Sequence, residues 1–257
     1  MELVNAEIYE RIIALAREAG ELIRQADPQE ADVDAKEGHA NFVTRYDRLV
    51  QDRLQSGLAE ILPGAGFFGE EGGHDGFPEN EYTFIVDPID GTSNFMRGFR
   101  MSAIAIALVQ DRQRIFGLVY NPFMNEMFTA VRGEGARLNG RPIHVSPLPL
   151  AESLVIFGTA PYYPGQPAVA FAKAQELLPQ CIDVRRMGSA ELDLCYVACG
   201  RAGMYFEPII QPWDFAAGSL IVEEAGGRVT RWDGSAPDVT QPGSCLACGS
   251  GIGIERL

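Results

Sequence analysis

The sequence predicts an α/β protein, an α+β half over residues 1–147 followed by an α/β half over 148–257. Three observations carry that expectation. Two early segments place apolar residues at helical spacing, the middle of the chain is a succession of short apolar runs, and beyond residue 147 strand and helix patterns alternate. The Pro-punctuated stretch from Pro142 to Pro149 marks the junction. At 257 residues and 46% hydrophobic content, the chain can bury the core of one large domain or two modest ones.

The first helix is expected from Val4 to Ala26, with Ile8, Ile12, Leu15, Ala19, Leu22 and Ile23 on one face and Asp27-Pro28 ending it. A second begins at Thr44, where Thr44 and Asp47 have capping-box spacing, and carries Leu49, Val50, Leu54, Leu58 and Ile61 to Pro63-Gly64. Strands follow at Tyr82 to Val86, Ser102 to Gln110, Arg114 to Tyr120 and Glu126 to Val131, and Asn139-Gly140 marks a hairpin turn. The second half offers strands at Leu154 to Phe157, Ile182 to Val184 and Gly203 to Glu207, with two more near Val229 and Cys245. Its helices are expected near Pro167 to Leu178, from Ser189 to Cys199, and from Gln211-Pro212 to Gly226-Gly227.

The stretch Asp87-Pro88-Ile89-Asp90-Gly91-Thr92 is chemically the most informative. Two carboxylates leave a buried strand three residues apart. Gly91 lets the backbone approach a ligand, and Thr92 can cap a following helical turn. Acids beside free amides suit a divalent cation and a phosphate together. An EF-hand loop starting at Asp87 would need Gly and Glu where Thr92 and Gly98 stand, and no Walker sequence occurs. A turn with two capping aspartates would need neither the Gly-Thr pair nor the strand.

Further acids join this loop. Glu70-Glu71 follow the aromatic pair Phe67-Phe68, and Asp214 lies at a helix start after Trp213. Each has an ordinary alternative, as a solvated acid or an N-cap. The formal charge of −14 argues against nucleic-acid or anionic-membrane binding, so no nucleic-acid or membrane partner is expected. The N-terminus is acidic and amphipathic rather than a signal peptide, and apolar stretches fall short of a membrane span, so a cytoplasmic location is expected. Five cysteines suit a reducing compartment. Cys245 and Cys248 form a lone Cys-x-x-Cys, better read as structural thiols than as a zinc or redox site. The three histidines lie far apart in sequence and imply no cluster.

Taken in order, Asp47, Glu70-Glu71, the Asp87 to Thr92 loop, and Trp213-Asp214 with its trailing Gly226-Gly227 resemble the inositol monophosphatase family of lithium-sensitive, Mg²⁺-dependent phosphatases. Lys36, Val43-Thr44, Gly188-Ser189-Ala190 and Glu207 fall in the same order, so the likeness covers nearly the whole chain. The resemblance implies layered αβαβα packing, a homodimer, and two or three Mg²⁺ per subunit. It implies that Glu70, Asp87 and the Ile89 carbonyl hold one ion, that Asp87, Asp90 and Asp214 hold a second, and that a weaker third sits near Glu70. Glu70 and Thr92, with Asp47 behind them, would orient and deprotonate an attacking water, for direct in-line transfer without a phosphoenzyme. Gly91 and Thr92 would cradle the phosphate. Asp90, Gly188, Ser189, Glu207 and Asp214 would contact the substrate, and Lys36 and Glu71 would support the metal ligands.

The implied reaction is hydrolysis of a phosphate monoester, inositol 1-phosphate or a similar polyol or sugar monophosphate. Alternatives within the superfamily are fructose 1,6-bisphosphate, 3′-phosphoadenosine nucleotides, histidinol phosphate and NADP. A non-catalytic polyol-phosphate binder is the alternative from another class. Ser93, Met96 to Arg100 and Glu191 depart from the family pattern near the expected substrate mouth and weaken the case for inositol itself.

Overall fold

The computed structural model describes residues 4–27, 33–35, 42–71 and 76–253. Lys36, like His39 and His74, lies outside the described residues. Helix α1 (Ala6–Gln25) starts two residues after Val4, because the Asn5 side chain accepts the Glu7 and Ile8 amides and so caps it. Strands β1 (Val33–Ala35) and β2 (Phe42–Thr44) form a two-stranded antiparallel ribbon that the sequence pattern did not announce. Helix α2 (Arg45–Ile61) opens on the expected capping box. Thr44 donates its N–H at 2.7 Å and its hydroxyl at 2.5 Å to Asp47 Oδ2.

A seven-stranded sheet follows, its strands adjacent in chain order. It comprises β3 (Gly66–Gly69), β4 (Tyr82–Asp90), β5 (Ala103–Gln110), β6 (Gln113–Asn121), β7 (Glu126–Val131), β8 (Gly135–Leu138) and β9 (Arg141–Ile143). Only the β3–β4 pair is parallel. Strand β4 does not end at Val86. It runs on to Asp90, with its register against β5 shifting between Asp87 and Asp90. Pro88 has no N–H to offer a ladder, so a bulge at this point re-aims the two carboxylates. The short helix α3 (Thr92–Met96) then leads into β5.

The rest of the chain gives β10 (Leu154–Phe157), α4 (Gln166–Leu177), β11 (Asp183–Arg185), α5 (Ala190–Ala198), β12 (Met204–Ile210), α6 (Ala216–Glu224), β13 (Arg228–Thr230) and β14 (Gly243–Cys248). They build a five-stranded sheet of order β11-β10-β12-β14-β13, parallel around β10 and antiparallel around β14. The helix expected from Gln211 is instead a 3₁₀ turn over Pro212–Asp214 followed by α6.

Alternation along the strands sorts side chains into three cores. Phe84, Val86, Ile106 and Leu118 meet α1 and α2 on one face of the large sheet. Ile85, Ala105, Ala107 and Val119 on its other face meet α5, α6 and the inner face of the smaller sheet, including Tyr205 and Ala247. Val155, Phe157, Phe206 and Leu246 meet α4 on the outside. The resulting order is the expected αβαβα layering. Helices α5 and α6 lie between two sheets, and their residues Glu191 to Ala198 and Ala216 to Val222 are buried on every side. Gly117 admits α6 to β6, since a Cβ there would lie 2.7 Å from the Ala217 carbonyl oxygen.

The five cysteines are free thiols. Cys245 faces the inner core of β14 and Cys248 the outer one, so the Cys-x-x-Cys spacing does not bring them together.

Candidate metal and phosphate site

The end of β4, the start of α5, strand β12 and the Pro212–Asp214 turn enclose a cavity of about 410 Å³. Glu70, Asp87, Ile89, Asp90, Gly91 and Thr92 line it from one side, and Gly188, Ser189, Glu207 and Asp214 from the other. Residues more than a hundred positions apart are therefore brought to one wall. Asp47 lies behind Thr92, fully buried. Glu71 is positioned through its backbone, which is gripped by Gln51 of α2: the Glu71 N–H donates to Oε1 at 2.9 Å and Nε2 donates to its carbonyl at 2.5 Å.

Asp87 and Asp90 are 2% and 6% exposed. Asp87 Oδ1 accepts the Ile89 N–H at 2.9 Å, which stiffens the loop. Asp90 reaches across to α5, where its Oδ2 accepts the Ser189 hydroxyl at 2.5 Å and the Glu191 N–H at 2.8 Å, and its Oδ1 the Ala190 N–H at 3.2 Å. A carboxylate from one sheet thus satisfies the first amides of a helix belonging to the other half, where the helix dipole favours it. Asp214 is not the N-cap of its turn: Gln211 is, and Asp214 Oδ2 accepts the Gln211 N–H at 2.9 Å as the returning half of a capping box, within the cavity wall.

Burial dominates the electrostatics. It pushes Asp90 up to about 6, with the Ser189, Glu191 and Ala190 donors pulling the other way. Burial, then the charges of Glu70, Asp90 and Asp214, raises Asp87 well above the ordinary aspartate range. Asp214 is raised likewise by burial, Asp90 and Glu70. Acids desolvated beside one another want a cation. An all-oxygen set of carboxylates, with Ile89 in the same wall to offer its carbonyl, fits a hard divalent ion such as Mg²⁺. Among the described residues no three of these side chains converge on one point.

Gly91, not Thr92, occupies the cap position of α3. Its φ of 87° is left-handed, and a Cβ there would lie 2.8 Å from the Met101 carbonyl oxygen and 3.1 Å from that of Gly188. Thr92, released from capping, places its hydroxyl 3.2 Å from both Asp47 Oδ1 and the Ile89 carbonyl. Burial raises the Asp47 carboxyl above its ordinary range despite its bonds to Thr44.

Glu207 is no solvated strand-end acid. It sits within β12, 7% exposed, with Oε1 accepting the Ala160 N–H at 2.7 Å and Oε2 the Tyr205 hydroxyl at 2.6 Å. Glu191 is not at the substrate mouth either. Fully buried, it accepts the Ala217 and Gly218 amides and so caps α6, which explains a charge at that position. Arg97 to Arg100 are exposed and, like Met96, outside the cavity wall. The wall also contains Tyr162, Tyr163, Arg186 and Asp193, which no motif in the sequence marks, and Gln211, expected only as a helix start. No local pattern places them there, because β10, β11 and α5 bring them together only in the folded chain.

The profile of the inositol monophosphatase family matches residues 4–255. The chain is 37% identical over 250 residues to the Nus factor SuhB of Xylella fastidiosa, covering 95% of this chain and 90% of the relative. It is 36% identical over 235 residues to the inositol-1-monophosphatase of Mesorhizobium japonicum, covering 91% and 85%. Among solved structures, an IMPase/NADP phosphatase complexed with Mg²⁺ and phosphate superposes with a TM-score of 0.86 at 26% identity, over 96% of this chain and 92% of that one.

Proposed function

The chain belongs to the inositol monophosphatase family, and from that premise we propose that it is a Mg²⁺-dependent phosphatase of inositol 1-phosphate or a similar polyol or sugar monophosphate. The observation that carries the reading is the set of acids Glu70, Asp87, Asp90 and Asp214 lining one cavity beside the Thr92–Asp47 pair.

Glu70, Asp87, Asp90, Asp214 and the Ile89 carbonyl would hold two or three Mg²⁺. When bound, the ions supply positive charge to the phosphoryl and leaving oxygens and lower the pKa of water. The chain's own groups do the rest. Glu70 and the Thr92 hydroxyl orient the attacking water. Thr92 can take its proton while donating its own to Asp47, whose raised proton affinity suits a base. The Gly91 and Thr92 amides would cradle the phosphate, and Asp90 is fixed by α5 before substrate arrives. Gly188, Ser189 and Glu207 form the end of the cavity that would take the alcohol half.

No helix among the described residues is long and apolar enough to cross a membrane, in keeping with a cytoplasmic enzyme acting on a small phosphate ester. A homodimer and inhibition by lithium are proposed from family membership alone. A second reading rests on the relatives named Nus factor SuhB: a role of that kind, separable from the carboxylates.

The test is phosphate release from inositol 1-phosphate, fructose 1,6-bisphosphate, 3′-phosphoadenosine 5′-phosphate, histidinol phosphate and NADP, each with Mg²⁺, with EDTA, and with Asp90→Asn. Metal-dependent release abolished by the substitution supports the phosphatase, and the best substrate identifies its class. A folded, Mg²⁺-binding protein that releases phosphate from none of them favours the second reading or a binder.

A further inference from the structure

Asp193 lies on the first turn of α5, 1% exposed, and forms part of the cavity wall. Its backbone N–H is spent on the helix, donating to the Ser189 carbonyl at 3.0 Å. Its Oδ1 has no hydrogen-bond partner. Among the described residues the only other buried side-chain atom in that state is Thr83 Oγ1, which does not line the cavity. Leaving a buried carboxyl oxygen unpaired is costly, and such groups ordinarily find a partner or serve a ligand.

Its surroundings narrow what that ligand group can be. Glu207, the other acid at this end of the cavity, already has both oxygens engaged by Ala160 and Tyr205. Asp193 is thus the acid here with an oxygen that no donor engages. Asp90 and Glu207 act on it as like charges and Arg186 as an opposite one, so positive charge is already at hand. A neutral hydroxyl fits best. It can donate to a carboxylate, or exchange donor and acceptor roles with a protonated acid, so either state of Asp193 would hold it.

We propose that Asp193 determines specificity by hydrogen-bonding a hydroxyl on the alcohol half of the phosphate ester, so that polyol phosphates are preferred over esters of hydroxyl-poor alcohols. This deepens the phosphatase reading and rests on it.

The test uses the full chain with Mg²⁺, comparing inositol 1-phosphate with p-nitrophenyl phosphate, whose leaving group carries no second hydroxyl. Asp193→Leu is expected to lower kcat/KM for inositol 1-phosphate about tenfold (about 1.4 kcal/mol), mostly through KM, and to leave p-nitrophenyl phosphate within about twofold. Asp193→Asn keeps a carbonyl acceptor and is expected to restore most of the loss. Equal losses on both substrates, or no change on either, overturns the proposal. If the parent protein hydrolyses neither ester, the phosphatase reading fails on its own, and calorimetry decides the role of Asp193. Weaker binding of inositol 1-phosphate to Asp193→Leu, with binding of inorganic phosphate unchanged, supports the proposal. Parallel changes, no change, or no binding of either by the parent overturns it.

Discussion

Ser189 donates its hydroxyl to Asp90 Oδ2 at 2.5 Å, joining the end of the large sheet to the first turn of α5. The Ala190 and Glu191 amides complete the same link. The two sides of the cavity are therefore held by a residue that is itself a candidate metal ligand. Asn94 adds a second tie, donating to the Met101 and Met187 carbonyls at 2.8 Å each. Asp90 is thereby held in place before any ligand arrives, as electrostatic catalysis requires of the groups it uses.

The Ser189–Asp90 bond is expected to matter for folding as well as for the site. Ser189→Ala removes one donor to a buried carboxylate and leaves the two amides in place. Urea unfolding without added metal should show a loss of about 1.5–3 kcal/mol, the range for hydrogen bonds to charged groups. Unchanged stability would mean that the backbone donors alone fix Asp90.

Glu191 makes a sharper demand on stability. Truncation to Ala strands the Ala217 and Gly218 amides at the buried start of α6. At about 1–3 kcal/mol per unsatisfied donor, Glu191→Ala should lose about 2–6 kcal/mol. Glu191→Gln, which keeps one acceptor, should lose less. Equal losses in the two variants would argue for side-chain volume rather than capping.

Stability of the metal-free protein should carry a pH signature from Glu207. Burial raises its folded-state pKa above the ordinary 4.5, although Tyr205 and Ala160 pull it back. The folded state then binds the proton more tightly than the unfolded one. The associated stability is fully present below the unfolded-state pKa and is lost as pH rises through the raised value. Unfolding free energy should therefore fall across that window in the parent protein and fall less in Glu207→Gln. A parent curve that rises faster than the variant's would reverse the assignment.

What was legible in the sequence was what local chemistry encodes. Asp87, Asp90, Gly91 and Thr92 are contiguous, and their types already pose the problem of acids beside free amides. The α1 and α2 faces and the Thr44–Asp47 box are likewise written in spacings of three and four residues. The αβαβα order came from the resemblance, since periodicity shows that a strand is buried without showing which layer covers it. Glu191 read as a departure at the substrate mouth because its partners, 26 and 27 residues away, meet it only once α5 and α6 pack. Arg186, Asp193 and Tyr162 were missed for the same reason. Gly91 took the cap position expected of Thr92 because its left-handed φ turns the chain into α3, leaving the Thr92 hydroxyl for Asp47.

If the buried acids serve Mg²⁺-dependent phosphate-ester hydrolysis, Asp87 is the side chain whose loss should show it. Phosphate release from inositol 1-phosphate should be compared for the parent protein and Asp87→Asn, each with Mg²⁺ and with EDTA, after both are shown to be folded. The parent should release phosphate, and EDTA should abolish that release. In the variant, release should fall about a hundred- to a thousand-fold, about 2.7–4 kcal/mol of transition-state stabilisation. Release that survives both EDTA and Asp87→Asn would contradict that role for the acids.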